Sequence, residues 1–287
     1  MKRTTYILFG MLLAGVGLIF GWMLILSFYT GDVEDSFIFV KGENKTVQLP
    51  ESKVVLLTVN QRHIYKKGRK GNEYRYDQIM SFLNAPLKVH SSETGVGSFT
   101  YPSGMDRYMK TTEAGDTLKI TFDFPDEVLN VNQKNISTLN LHAAAMSLCL
   151  PASVELLKDK LYEQEVIFEN LHCDTLSLSL TNYGWNRASY GRMENCKINA
   201  LTVRGGKWFF EKGEVENLHL YLDNIRGWQV NTGTFHIDTE YLYGKGQNNC
   251  TLQKGECRQI VWTPQAKKAS LRVSLKQAAR VIVTEEP

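Results

Sequence analysis

Hydrophobic positions along this chain follow two different rules. From Thr4 to Gly31 no charged residue occurs, and Lys2 and Arg3 stand just before. That apolar run predicts a helix over Tyr6–Phe28, about 35 Å long at 1.5 Å per residue, enough to cross a bilayer. Beyond it the period falls to two. Leu118, Ile120, Phe122 and Phe124 alternate with polar residues over Thr117–Phe124, the pattern of a half-buried strand closed by Pro125. Val54–Val59 reads as a strand with apolar residues on both faces, and Phe37–Val40 as another.

Between these runs the pattern is less regular. Tyr65, the basic and glycine-rich stretch Lys66–Asn72, then Tyr74 and Tyr76 predict a hairpin or long turn. Ile79–Leu83 reads as a short helical turn stopped before Pro86, and Ser91–Gly104 as an irregular loop. After Pro151, Val154, Leu157 and Leu161 recur at helical spacing among charged residues, predicting a short amphipathic helix over Ala152–Glu165.

The C-terminal half repeats one theme: a few polar or glycine-rich residues, then Leu-x-Leu-x-Leu, then Asn or Gly. The clearest copies are Leu176–Asn182 and Leu218–Asn224, with a weaker one at Leu201–Gly205. Aligning Leu180, Val203, Leu222, Leu242, Trp262 and Ile282 gives separations of 23, 19, 20, 20 and 20. A unit of that length buries no core alone but does when stacked on its neighbours. The fold class this predicts is mainly β: an N-terminal transmembrane helix, then a β-solenoid with an elaborated β lead-in. The alternative is an antiparallel sandwich or barrel in which Asn182 and Asn224 are ordinary turn residues. The organisation divides as anchor 1–31, lead-in 32–130 and repeat domain 131–287.

Charge orients the apolar segment. Lys2 and Arg3 precede it, Asp32, Glu34 and Asp35 follow it, and Tyr6 and Tyr29 flank it, so the N-terminus is expected inside and the rest outside the cytoplasm. The competing reading is a cleaved signal peptide, against which the run is long and its end, Leu26–Gly31, lacks a good small-x-small site. Gly17 and Gly21 form a GxxxG through which two helices could approach closely. The formal charge is +3, or +1 once Lys2 and Arg3 are set aside, and implies no nucleic-acid partner. Five cysteines leave at least one unpaired outside the cytoplasm. Cys250 and Cys257 flank a turn at Lys254-Gly255, so a cross-strand disulfide is one reading and two small buried hydrophobes the other. Cys149, Cys173 and Cys196 read as buried hydrophobes.

Chemistry is thinly marked. Asp174, Asp223, Asp238 and Glu240 lie near strand ends without a spacing that pairs them for glycoside cleavage, and solvated surface carboxylates are the plainer reading. His142, His172, His219 and His236 each follow an apolar residue, so alternation points them outward, but their intervals keep no single register. The sequence contains no P-loop, GxSxG or HExxH, and no Cys/His cluster has metal spacing. No cofactor is implied. The best contact surface is the basic tip Lys66, Lys67, Arg69 and Lys70 with Tyr65, Tyr74 and Tyr76, suited to an acidic polysaccharide, lipid head group or protein. The same tip would also serve to discourage edge aggregation. Trp185, Trp208 and Trp228, in or beside inter-repeat loops, suit sugar stacking if exposed and core filling if buried.

An N-terminal anchor, a strand-rich lead-in and Leu-x-Leu-x-Leu-x-Asn coils together resemble bacterial envelope proteins with an adhesin-head β-solenoid domain, the GIN domain and its toast-rack-like relatives. The likeness covers roughly Ile136–Val283 and more loosely Phe37–Phe124. The family's glycine- and aspartate-rich repeats are sparse here, and Ala152–Glu165 departs from the pattern. The resemblance implies a binding or scaffolding exterior and transfers no catalytic residue. Joined to the anchor read from the flanking charges, it predicts a single-pass inner-membrane protein whose C-terminal domain, in the periplasm or outside the cell, binds a protein or envelope polysaccharide. The rivals are a polysaccharide-cleaving or polysaccharide-binding β-helix, and a stalk subunit of a membrane complex.

Overall fold

A computed structural model describes residues 2–29, 37–60, 62–67, 73–124, 138–183, 187–276 and 280–284. Residues 2–8, 27–29, 62–67, 73–77 and 183 are described in backbone only. The chain forms two compact units, Met1–Phe37 and Ile38–Pro287. The first holds helix α1 (Lys2–Tyr29). Its Phe9–Leu26 stretch has a mean hydropathy of 2.3 and is long and apolar enough to cross a membrane.

The second unit is built mainly of strands. Its first third comprises β1 (Phe37–Phe39), β2 (Asn44–Gln48), β3 (Val54–Val59), β4 (Arg62–Lys67), β5 (Glu73–Asn84), β6 (Leu87–Ser91) and β7 (Ser98–Pro102). A 3-10 helix, Ser103–Tyr108, leads to β8 (Met109–Ala114) and β9 (Thr117–Phe122). Next come β10 (Thr138–His142), β11 (Met146–Leu150), β12 (Leu156–Asp159), β13 (Glu165–Glu169), β14 (His172–Ser179), β15 (Asn182–Tyr183) and β16 (Arg187–Ala188). The last third holds β17 (Tyr190–Arg204), β18 (Lys207–Tyr221), β19 (Gly227–Val230), β20 (Phe235–Gly244), β21 (Gln247–Leu252), β22 (Cys257–Pro264), β23 (Ser270–Leu275) and β24 (Arg280–Val283).

Period-two alternation turns into rows when these strands pair in parallel. One inward row runs Leu118, Val55, Leu157, Leu178, Val203, Leu220, Leu242, Trp262, Val283, crossing nine strands from β9 to β24. The long strands β17 and β18 serve two such sets. The first half of β17 pairs with β13 and its second half with β14, with register shifts around Glu194 between them. The other set carries the row Leu148, Val89, Phe168, Met193, Phe210, Val230. The sheet curls, and both sets contribute to one apolar core reaching from Ile38 to Trp262. Each buried leucine in these rows contributes about 1.5–3 kcal/mol over an exposed one.

One rung is empty by design. Gly191 sits between Val166 and Trp208 in the neighbouring row, and a Cβ there would lie 2.5 Å from the Trp208 ring. The missing side chain makes room for the indole. At the corner that follows, Gly205 and Gly206 take φ of +67° and +63°, where other residues are strained. Trp208 Nε1 donates to Gly205 O at 2.7 Å, fixing the corner to the core.

Four expectations are corrected. Ala152–Glu165 contains no helix: Leu156–Asp159 is β12, paired in parallel with β3 and β14. Val154, Leu157 and Leu161 are all buried there, and three apolar residues so spaced fit a bent extended segment equally well. Ile79–Leu83 lies in the last part of β5, where Ile79, Met80, Ser81 and Phe82 are buried and Leu83 is exposed. Ser98–Pro102, within the expected loop, is β7, paired antiparallel with β2 and β11. In the leucine alignment the row passes through Leu178 and Leu220 rather than Leu180 and Leu222, a slip of two that keeps the face. Ile282 stands beside Val261 while Val283 continues the row, a slip of one that changes the face. The expected hairpin is present in backbone, β4 pairing antiparallel with β5.

Candidate functional site in the outward rows

The side chains opposite the core also line up across strands. Ser177, Thr202, His219 and Tyr241 form one outward row, and Tyr221 stands opposite Tyr243 in the next. His219 stacks on Tyr241 at 4.6 Å between centroids and 11°, and Tyr221 on Tyr243 at 4.8 Å and 16°. The Arg204 guanidinium closes the stack, 4.0 Å over the Tyr221 ring. His219 Nδ1 and Tyr243 Oη share a hydrogen bond of 2.9 Å. Burial lowers the His219 pKa, so the imidazole is held neutral, and burial together with the neighbouring tyrosines raises that of Tyr243. Rings stacked face to face spend their faces on one another and present edges and hydroxyls to solvent. The row is therefore rigid and amphipathic, without an open ring face between its members.

At the middle of β17 and β18 and the starts of β20 and β22 lies a shallow trough of about 480 Å³ lined by Lys197, Asn199, Glu214, His236, Asp238 and Arg258. Lys197 pairs with Glu214 at 2.5 Å and Arg258 with Asp238 at 3.2 Å. The hydrogen bond from Lys197 holds the Glu214 carboxyl below its usual range. A second hollow of about 400 Å³ lies by Pro151, Leu171, His172 and Asp174.

The sequence-named residues lie in several separate places. Asp174 accepts from Asn199 Nδ2 at 2.9 Å, and Asp223 accepts from the backbone amides of Lys245 and Gly246 at 2.6 and 3.1 Å. With Asp238 held by Arg258, these three carboxylates are each engaged separately, and no pair of them meets in a groove. Trp208 is fully buried against Phe168 and Phe210 and fills the core, whereas Trp228 is half-buried. His142, His172 and His236 are exposed, and only His219 joins the ring stack. Arg69, Lys70 and Trp185 lie outside the described residues, and Tyr65, Lys66, Lys67, Tyr74 and Tyr76 are described in backbone only. All five cysteines are free thiols. Cys250 on β21 stands beside Val273 and Cys257 on β22 beside Ile237, so the two strands do not pair as a hairpin.

Glu240 was the least anticipated. It occupies a rung between Leu218 and Ile260, is fully buried, and neither carboxyl oxygen has a hydrogen-bond partner. Burial first, and then the nearby Glu256 carboxyl, raise its pKa well above the usual range, so it is held protonated. Glu256 accepts from Trp228 Nε1 at 2.9 Å and from Gln253 N at 2.5 Å. Both carboxyls push the Cys250 thiol, already raised by burial, up to about 12. The signal was present: Leu242 points inward, so period two sends Glu240 inward as well. Among the described residues, no three His, Cys, Asp or Glu converge to hold a metal ion.

No family model matches this chain, and no curated protein does. Among solved structures, a candidate adhesin of Bacteroides fragilis is similar at 12% identity and a TM-score of 0.44, over 86% of this chain and 99% of its own. A candidate lipid-binding protein of Parabacteroides distasonis is similar at 11% identity and 0.38, over 87% and 100%. A candidate cell adhesion protein of Clostridium sporogenes follows at 11% and 0.24, over 82% and 100%. TM-scores this low fix neither fold nor function, and the functional reading rests on the chain's own geometry.

Proposed function

We propose that this chain is a membrane-anchored, extracytoplasmic β-solenoid of the bacterial envelope that works as a binding or scaffolding module and not as an enzyme. One observation carries the reading: the outward side chains repeat in register across consecutive parallel strands, so the surface is a long, rigid, shallow array rather than a deep pocket. Extended arrays suit extended partners. The trough supplies charged and amide groups at strand spacing, Lys197, Glu214, His236 and Arg258 among them, which matches the hydroxyl-rich chain of an envelope polysaccharide. Glu214 and Asp238 share the trough but each is held by a cation, Lys197 and Arg258, which argues against hydrolysis by two free carboxylates about 5–10 Å apart.

The anchor reading rests on α1 and the charges flanking it. Calorimetric titration of the detergent-solubilised chain with purified envelope polysaccharides tests the binding role. Binding that weakens at least ~10-fold in His236→Ala and Arg258→Ala together supports it. Shortening of the polysaccharide during incubation would instead favour the cleaving alternative. Stoichiometric co-purification with a membrane protein, without polysaccharide binding, would favour the stalk alternative.

A further inference from the structure

We infer that the C-terminal end of the parallel stack is a docking surface for an acidic, extended segment of a partner polypeptide, which adds as a further strand along β24. Register carries the first part of this. Val281 extends the row Leu218, Glu240, Ile260, and Val283 extends Leu220, Leu242, Trp262. The earlier rungs are at most 6% exposed, yet Val281 is 45% and Val283 67% exposed. On β23, Leu275 is 42% exposed beside a Leu252 that is 3% exposed. Three apolar side chains thus point to the core side with nothing among the described residues to cover them. Among those residues β24 pairs only with β22, so its second edge offers a row of backbone donors and acceptors. An added strand uses such an edge.

Charge selects the occupant. From residue 257 to residue 287 the sequence holds six Lys or Arg against two Glu, Glu285 and Glu286 at its end. Arg258 is paired with Asp238, and Lys276 donates to Gln253 Oε1 at 3.0 Å. Lys267, Lys268, Arg272 and Arg280 are exposed and have no partner among the described residues. A second copy of this end would bring like charges together. A polysaccharide or a lipid head group answers the charge but neither the backbone edge nor the apolar rungs. A polypeptide alternating apolar and acidic residues answers all three, its apolar side chains falling over Val281 and Val283 and its carboxylates meeting the free cations. This surface is separate from the outward rows, and its occupancy does not depend on theirs.

The full chain in detergent is titrated with a labelled peptide of about ten residues alternating Glu and Val. The expected result is saturable binding that protects the amides of residues 281–283 from hydrogen exchange. Arg272→Glu with Arg280→Glu should weaken it at least ~10-fold, and Val283→Ser, an exposed change the fold tolerates, should weaken it as well. Equal binding of polyglutamate would overturn the proposal by showing charge alone at work. So would concentration-dependent dimers that ignore the peptide, or no binding at all.

Discussion

The two ends of the parallel stack are built from the same kind of row and finished in opposite ways. At the β9 end the row closes with Leu118, fully buried, and the next strand, β8, is antiparallel and places Glu113 opposite it. On the other set, β7 and β2 turn antiparallel likewise, and β2 is a polar strand, Asn-Lys-Thr-Val-Gln. Lys45 on β2 pairs with Asp106 at 2.8 Å, and Tyr101 on β7 donates to the same carboxyl at 2.8 Å, tying the strands to the 3-10 helix. At the β24 end the strands stay parallel and apolar, Arg-Val-Ile-Val, and the row stops with Val283 in solvent. Parallel stacking propagates a core but does not end one. A change of strand direction and polar residues can end one, and among the described residues only the β9 end shows them.

The same row at its two ends gives the largest contrast. Leu157→Ala, inside the closed part, should lower unfolding stability in urea by about 2–5 kcal/mol, and Val283→Ala by less than about 0.5. Equal losses would mean that Val283 is covered in solution.

Buried acids sharpen the contrast next. Asp159, at the end of β12, is fully buried, and desolvation raises its pKa from 3.8 to about 7 despite a hydrogen bond from Leu161 N. Glu240 and Glu256 are raised too. A raised folded-state value means the protonated form is the one folding favours. Stability is therefore full below about pH 4 and declines as pH climbs through 7, by about 2 kcal/mol or more. Asp159→Asn should flatten much of that decline, and Glu240→Leu should raise stability above neutral pH by restoring an apolar rung. A stability that instead rose across this window would contradict the buried, protonated assignment.

The outward stack gives the smallest effect. Tyr243→Ala should cost about 1 kcal/mol and let water reach His219, moving its NMR titration midpoint upward. An unmoved midpoint would show that the ring stack does not shield the histidine.

How much of this was legible follows from what each signal encodes. Alternation marked Leu176, Leu178, Leu218 and Leu220 as inward and the four histidines as outward, because period two is local. Register was not legible to the residue. It is set by the corners, where Gly205, Gly206 and the turn after Tyr221 decide how many residues lie between rungs, and leucine rows permit slips of two. The antiparallel finish at β7 was missed because Ser91–Gly104 is rich in turn-forming residues, and the pairing partners of β7, β2 and β11, lie far along the chain. Of the site, Glu240 was grouped with surface carboxylates although it is buried, and the stacking of Arg204, Tyr221, His219, Tyr241 and Tyr243 was not legible, since it exists only once three strands are in register.

Methyl–methyl NOEs on the detergent-solubilised, methyl-labelled chain test the stacked register most directly. Cross-peaks should link Leu178 to Val203, Val203 to Leu220 and Leu220 to Leu242, each to the next in turn. Leu178 and Leu220 contacting each other directly, with Val203 elsewhere, would contradict it.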